Sequence, residues 1–218
     1  MGEFFAFKLN KLKIINNREI FGKGEIKILS FLTGSDVGLP LLDGYQETND
    51  DDAKKELIKA ATTSVLSAKQ LIQIDNITDG HQVFFGDTGY SLYTSTTKIP
   101  ISFNWSLLVF ESDRDVRKLG EEINGILTAP KFDGFVSNVM VLAGAAANPA
   151  AAAGVAITKF VFGVVTDQMM KNKDDQIGIV YQSFNKFQHY PHGERKKDDV
   201  RDLSGNMLYD YSIFGTKY

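Results

Sequence analysis

The chain has 218 residues, a net charge of −3 and no cysteine. The lack of cysteine excludes disulfides, thiolate metal sites and cysteine nucleophiles. A hydrophobic content of 43% with 23% charged residues is typical of a globular domain. Basic residues are scattered, and the one basic cluster, 195–197, is followed at once by Asp198 and Asp199. No nucleic-acid partner is therefore expected.

Length and N-terminal composition predict how the chain is organised and where it resides. A chain of this length suits one large domain, which we expect to span 1–218. The opening MGEFFAFKLN has an acid where a cleaved signal peptide carries positive charge, and it lacks an apolar run. The sequence predicts a cytoplasmic protein or one exported without a cleaved signal.

Most of the chain shows the period-two pattern of β-strands. Residues 4–15 alternate Phe5, Phe7 and Leu9 against other side chains, and 25–32 resumes an apolar extended pattern. Further predicted strands, separated by short turns, are 71–77, 82–86, 90–99, 101–110, 174–184 and 206–215. Many short strands with few long helices predict a mainly β fold, an antiparallel β-sandwich with inserted helices.

The strand at 101–110 carries the only tryptophan of the chain. Phe103, Trp105, Leu107 and Val109 share one face of this strand because side chains alternate along extended backbone. Trp105 is therefore expected to pack in the core rather than to serve as a platform for a ligand.

Helical patterns interrupt the strands in two places. A helix near 50–68 follows a capping Asn or Asp and carries acids in its first turn. A helical insertion at 114–170 contains a hairpin of small residues, joined at Asn148-Pro149, where proline suits the start of a new helix. Small residues allow helices to approach closely, and Lys159 interrupts the second arm. A hairpin buried on the sheet is thus favoured over one that inserts into a membrane.

An acidic run, LLVFESDRD at 107–115, ends the Trp105 strand. In extended backbone the carboxylates of Glu111, Asp113 and Asp115 point the same way and repel one another. Water, neighbouring arginines or a cation can relieve this repulsion. Calcium takes six to eight oxygen ligands, largely carboxylates and carbonyls, and a strand that ends in alternating acids can supply two or three of them.

Two other segments place acids at predicted strand starts. Glu25 opens the second strand, in FGKGEIKI, and Asp174 and Asp175 precede the strand that begins near Ile177, in DDQIG. These two segments and VFESDRD resemble the calcium-binding loops of the C2 family of β-sandwiches.

The resemblance implies a C2-like sandwich with a calcium site. Carried over position by position, it implicates Glu25, Asp113, Asp115 and Asp175 as metal ligands. It also implies that the partner is a membrane surface or another protein.

Other chemistry finds little support in the sequence. There is no G-x-S-x-G motif, phosphate loop or dinucleotide fingerprint, so we expect no enzymatic activity. His189 and His192 have a spacing found in zinc sites, but Pro191 keeps them off a common helix face. Both lie in the segment 185–205, which is predicted to be a charged loop.

Two functions stay open. The first is a non-catalytic binding module, linked to calcium through acidic loops at one end of the sandwich and engaging a membrane surface or a protein. The alternative is a structural subunit of a larger homo-oligomeric or hetero-oligomeric assembly, which would use edge strands and apolar surface.

Overall fold

The structure is a computed structural model that describes residues 2–18, 23–34, 37, 40–67, 70–111, 121, 125–128, 130–147, 149–172 and 175–218. The strands are β1 (Glu3–Ile14), β2 (Gly24–Thr33), β3 (Gln70–Ile77), β4 (Gln82–Phe84), β5 (Tyr90–Ser95), β6 (Ser102–Glu111), β7 (Asp175–Asn185), β8 (Glu194–Arg201) and β9 (Met207–Lys217). The helices are α1 (Asp51–Ser67), α2 (Pro130–Gly144) and α3 (Pro149–Asn172), with shorter helical turns at Pro40–Tyr45, Ile126–Thr128 and Lys186–His189.

The chain folds into two compact units. The first comprises Met1–Leu32, Gln70–Asp113 and Asp174–Tyr218, and it contains the strands. The second comprises Thr33–Lys69 and Arg114–Lys173, and it contains α1, α2 and α3. The assignment of 1–218 to a single domain, with 114–170 as an insertion, stays a prediction.

Two antiparallel sheets form the first unit. One sheet has the strand order β4-β1-β9-β8, and β5 also pairs with β1. The other has the order β3-β2-β6-β7. The central pair of the first sheet, β1 with β9, extends from Glu3 opposite Lys217 to Ile14 opposite Met207, with a shift of register between Leu9 and Lys11. The predicted mainly β fold, an antiparallel β-sandwich with inserted helices, is confirmed.

Aromatic side chains from the two sheets meet in the core. The fully buried ring of Trp105 on β6 lies 5.0 Å from Phe7 on β1 and 5.4 Å from Tyr209 on β9, measured between ring centroids. Its indole N–H donates to Ser30 Oγ at 2.9 Å. Burial raises the pKa of the Tyr209 hydroxyl. Trp105 is a core residue, as the alternation of its strand predicts.

Helix α1 begins where the capping pattern predicts. Asp50 Oδ1 accepts a hydrogen bond from the Asp52 N–H at 3.0 Å, and Asp51 and Asp52 occupy the first turn. These acids stabilise the helix because its N-terminus carries partial positive charge. The helix predicted near 50–68 is confirmed.

Helices α2 and α3 form the hairpin of small residues. They pack through aromatic rings, with Phe135 stacked on Phe160 at a centroid distance of 3.9 Å. Pro149 is the first residue of α3, which confirms the predicted start of a new helix there. Within the described part of the chain, no helix has both the length and the apolarity required to cross a bilayer. Residues 114–120, 122–124, 129 and 148 of the predicted insertion lie outside the described residues, and 148 is the asparagine of the predicted junction.

The prediction of a loop throughout 185–205 is wrong, because β8 lies within it. This strand pairs with β9, from Glu194 opposite Phe214 to Arg201 opposite Leu208, and forms an edge of its sheet. Its sequence, ERKKDDVR, carries charge on both faces and is mostly exposed, so the apolar alternation that marks a strand is missing. Charged edge strands are common because they discourage pairing with other chains.

Candidate functional site

One end of the sandwich is closed by hydrogen bonds between loops. The Asn17 N–H donates to Asp79 Oδ1 at 2.8 Å, which joins the β1–β2 connection to the β3–β4 turn. Asn206 Nδ2 donates to Asn16 O at 2.8 Å and to Ile177 O at 3.0 Å, which joins the β8–β9 turn to β1 and β7. We call this region the loop end, and it comprises residues 15–18, 77–81, 175–179 and 202–206.

Asp202 is the buried anchor of the loop end. Its carboxylate accepts hydrogen bonds from the backbone N–H groups of Ile179 at 2.9 Å, Met207 at 2.8 Å and Ser204 at 2.9 Å. The Ser204 hydroxyl donates a further bond at 2.5 Å. These four bonds use the acceptor capacity of the carboxylate. Asp202 therefore fixes the β8–β9 turn against β7, and it is not available to a cation.

Two of the four predicted calcium ligands, Glu25 and Asp175, are described, whereas Asp113 and Asp115 lie outside the described residues. Asp175 is exposed, begins β7 and stands directly opposite Glu111, the last residue of β6. The Cβ atoms of directly opposed residues lie about 4.5–5.5 Å apart, and like charges at such positions destabilise the pair. The strand ends that flank the acidic run thus place two acidic residues directly opposite each other.

Glu25 has different neighbours. Its Oε2 lies 3.2 Å from Lys27 Nζ and 3.4 Å from Gln73 Nε2. Strand β6 separates β2, which carries Glu25, from β7, which carries Asp175. Among the described residues, no group of three His, Asp or Glu side chains comes close enough to hold a metal ion. A calcium site at this end therefore depends on Asp113 and Asp115.

The two histidines of the HYPHG segment have separate surroundings. His189 Nδ1 accepts a hydrogen bond from the Asn185 N–H at 3.0 Å, and its ring packs edge-on against Phe184 at a centroid distance of 5.6 Å. His192 is exposed in the following turn. His189 thus closes the helical turn Lys186–His189 onto the end of β7.

A second polar region, which the sequence did not reveal, lies on the outer face of the first sheet. Lys11 Nζ is 2.9 Å from both Asp199 Oδ1 and Asp210 Oδ2, and the lysine side chain is largely buried. Next to this cluster is a groove of about 530 Å³, lined among others by Lys8, Asn10, Phe84, Lys196, Ser212 and Phe214. These residues come from β1, β8, β9 and the β4 region, so no local motif joins them in the sequence.

The Lys11 cluster predicts a pH-dependent stability. Hydrogen bonds from Lys11 to Asp199, which has the larger effect, and to Asp210 raise the pKa of the lysine above its ordinary value. Because the folded-state pKa exceeds the unfolded one, the stabilisation is fully present below the unfolded pKa and is lost as pH rises through the folded pKa. We expect Lys11→Met to lower the free energy of unfolding at pH 7 by about 1–2 kcal/mol.

Urea denaturation of the wild type and Lys11→Met at pH 7 and pH 11 measures this effect. The difference between the two proteins should shrink at the higher pH, because the lysine of the unfolded chain then loses its proton while the folded-state lysine, whose pKa is raised, still holds one. Lys8→Met, on the same strand, serves as the control and should change the free energy of unfolding little. An equal loss at both pH values would show that Lys11 acts through packing alone.

Comparisons with known proteins give a limited match. No family model and no curated protein matches the chain. Among solved structures, the chain is similar to human GIVD cytosolic phospholipase A2 in complex with methyl gamma-linolenyl fluorophosphonate inhibitor and terbium chloride, with a TM-score of 0.40, 6% identity, and coverage of 100% of this chain and 18% of that chain. A second structure of the same human protein gives a TM-score of 0.40, 6% identity, and coverage of 100% and 16%. The chain thus spans less than a fifth of these proteins, and a likeness at this TM-score assigns neither family nor activity.

Proposed function

We propose that this chain is a non-catalytic binding module of C2-like type. It binds calcium where the chain leaves β6 and re-enters β7, and in that state it engages a membrane surface or a protein partner. The observation that carries the proposal is the direct opposition of Glu111 and Asp175 at these two strand ends.

The chemistry of these strand ends suits a divalent cation. Asp113 and Asp115 follow Glu111 by two and four residues, so the acidic run continues from the position that stands opposite Asp175. Bound Ca²⁺ removes the repulsion among these groups and takes carboxylate and carbonyl oxygens as ligands. Glu25 would join only by exchanging its contact with Lys27 for one with the metal.

The loop end supplies a fixed base for such a site. Asp202 and the Leu203 N–H both bond to the Ile179 backbone, four residues after Asp175. A binding site held by such supporting hydrogen bonds loses less conformational freedom when its ligand binds.

Isothermal titration of calcium into the wild type and Asp175→Asn tests the proposal. We expect the wild type to bind calcium and the variant to bind at least about tenfold more weakly, since one charged ligand is lost. Asp87→Asn, an exposed acid in the turn between β4 and β5, is the matched control and should bind as the wild type does. A wild type that takes up no calcium would contradict the proposal.

A high-mass species in size-exclusion chromatography, unchanged by chelator, would then favour the alternative that the chain is a structural subunit of a larger assembly.

A further inference from the structure

The ends of α2 and α3 next to their connection expose large apolar side chains. Val141 is 74% exposed, Leu142 58% and Val155 42%, whereas Val139 and Ile157 on the inner faces of the same helices are buried. The hairpin is therefore packed along its inner faces, while apolar side chains near the connected ends of the two helices are open to solvent. We call residues 141–147 and 149–155 the hairpin tip; Asn148 between them lies outside the described residues.

The hairpin tip lies in a long uncharged stretch. Residues 134–158 contain no Asp, Glu, Lys, Arg or His, and much of this segment is alanine and glycine. Asp133 and Lys159 mark its two limits, one on each helix. Exposure of such an apolar surface to water is unfavourable. The surface therefore fits a partner that is itself apolar and uncharged where the two are in contact.

The exposed face of α2 changes from polar to apolar along its axis. Ser137 and Asn138 are exposed, and one turn later Val141 and Leu142 are exposed. From Asn138 to Gly144 the helix rises about 9 Å. That length is enough for the end of the helix to reach the boundary between headgroups and acyl chains, which helices lying in the interface enter to a depth of about 5–10 Å.

Helix α3 repeats this arrangement. Lys159 is exposed and lies one helical turn beyond Val155, on the side away from the turn between the helices. When Val155 lies among acyl chains, the long side chain of Lys159 reaches the level of the lipid phosphates. Each such lysine adds attraction to anionic lipid.

The composition of the hairpin tip suits lipid. Its large exposed side chains are Val and Leu, its sequence carries no charge, and Lys159 follows one turn away, which pairs an apolar surface with a basic residue as in helices that bind anionic lipid. We propose that the hairpin tip inserts shallowly into the interface of an anionic lipid bilayer. The inference rests on the proposed function in treating the chain as a binding module, and it names the membrane as the partner, but it does not depend on the position of a calcium site.

Co-sedimentation with phosphatidylcholine–phosphatidylserine vesicles, in calcium and in EDTA, tests this inference. The wild type should sediment with the vesicles in at least one of the two conditions, and Leu142→Asp should bind roughly tenfold more weakly or worse, because it places a charge among the acyl chains. Phe187→Asp is the matched control, since Phe187 is 75% exposed but belongs to the sandwich unit. It should bind as the wild type does. Thermal melts of the variants alone check that neither substitution perturbs the fold.

The outcomes separate this inference from the proposed function. If Leu142→Asp loses vesicle binding and the wild type takes up no calcium, membrane insertion of the hairpin tip is supported and the proposed calcium binding is refuted. Membrane insertion of the hairpin tip is overturned if the wild type does not bind vesicles, or if Leu142→Asp still sediments normally. If the same protein takes up calcium, the calcium proposal stands. Equal loss in Leu142→Asp and Phe187→Asp would also overturn membrane insertion of the hairpin tip, because the effect would not be local to the tip.

Discussion

Replacing Trp105 with alanine is expected to lower the free energy of unfolding by about 3–5 kcal/mol. The side chain is fully buried between the two sheets, in contact with Phe7, Tyr209 and Tyr211. Its removal creates a cavity, and the neighbouring rings could fill it only by moving out of their favoured side-chain conformations. It also removes the indole N–H that donates a hydrogen bond to the Ser30 hydroxyl. Urea or guanidinium denaturation followed by circular dichroism measures the loss.

Two further variants separate packing from hydrogen bonding at this position. Trp105→Phe keeps an aromatic ring but removes the donor to Ser30, and we expect it to cost less than Trp105→Ala. Ser30→Ala removes only the acceptor and is expected to cost about 1–2 kcal/mol. A loss below 1 kcal/mol for Trp105→Ala would contradict the placement of this ring at the centre of the core.

Replacing Asp202 with alanine should be nearly as costly, at about 3–4 kcal/mol. Four donors point at its carboxylate, three from the backbone and one from Ser204. The substitution leaves the N–H groups of Ile179 and Met207 without an acceptor in a buried turn. Denaturation curves at neutral pH measure the effect.

Graded variants at the same turn test the reason for this loss. Asp202→Asn keeps the shape but turns one acceptor atom into a donor, so it should fall between the wild type and Asp202→Ala. Ser204→Ala removes one hydroxyl bond and should cost about 0.5–1.5 kcal/mol. Asp198→Asn, an exposed acid on the neighbouring strand β8, should be close to neutral. Equal effects of Asp202→Ala and Asp198→Asn would contradict the anchoring role.

The architecture was accessible from the sequence because most strands carry apolar side chains at alternate or successive positions. Alternation places Phe5, Phe7 and Leu9 inside β1, and the same rule places Trp105 inside β6. The rule fails at β8, whose two faces are both charged. That strand is held by backbone bonds to β9, and such bonds leave no pattern in side-chain type.

The candidate site was accessible only in part. Short-range patterns pointed to acids at the ends of β6 and β7, and the register brings Glu111 and Asp175 together. The anchoring role of Asp202 and the Lys11 cluster arise from contacts between distant segments, such as Lys11 with Asp199. Exposure at Val141 and Leu142 was also unexpected, since apolar residues in a helix predict burial until the packing of the hairpin is known.

The most direct test of the calcium-linked module is a thermal melt of the wild type in EDTA and again in millimolar calcium. A site filled to about 100 times its dissociation constant stabilises the folded state by roughly 2.7 kcal/mol, which for a chain of this size raises the melting temperature by several degrees. We expect that rise in the wild type and its loss in Asp113→Asn and Asp175→Asn. Identical melting temperatures in EDTA and calcium would contradict the proposal and leave the acids at the ends of β6 and β7 without a role in metal binding.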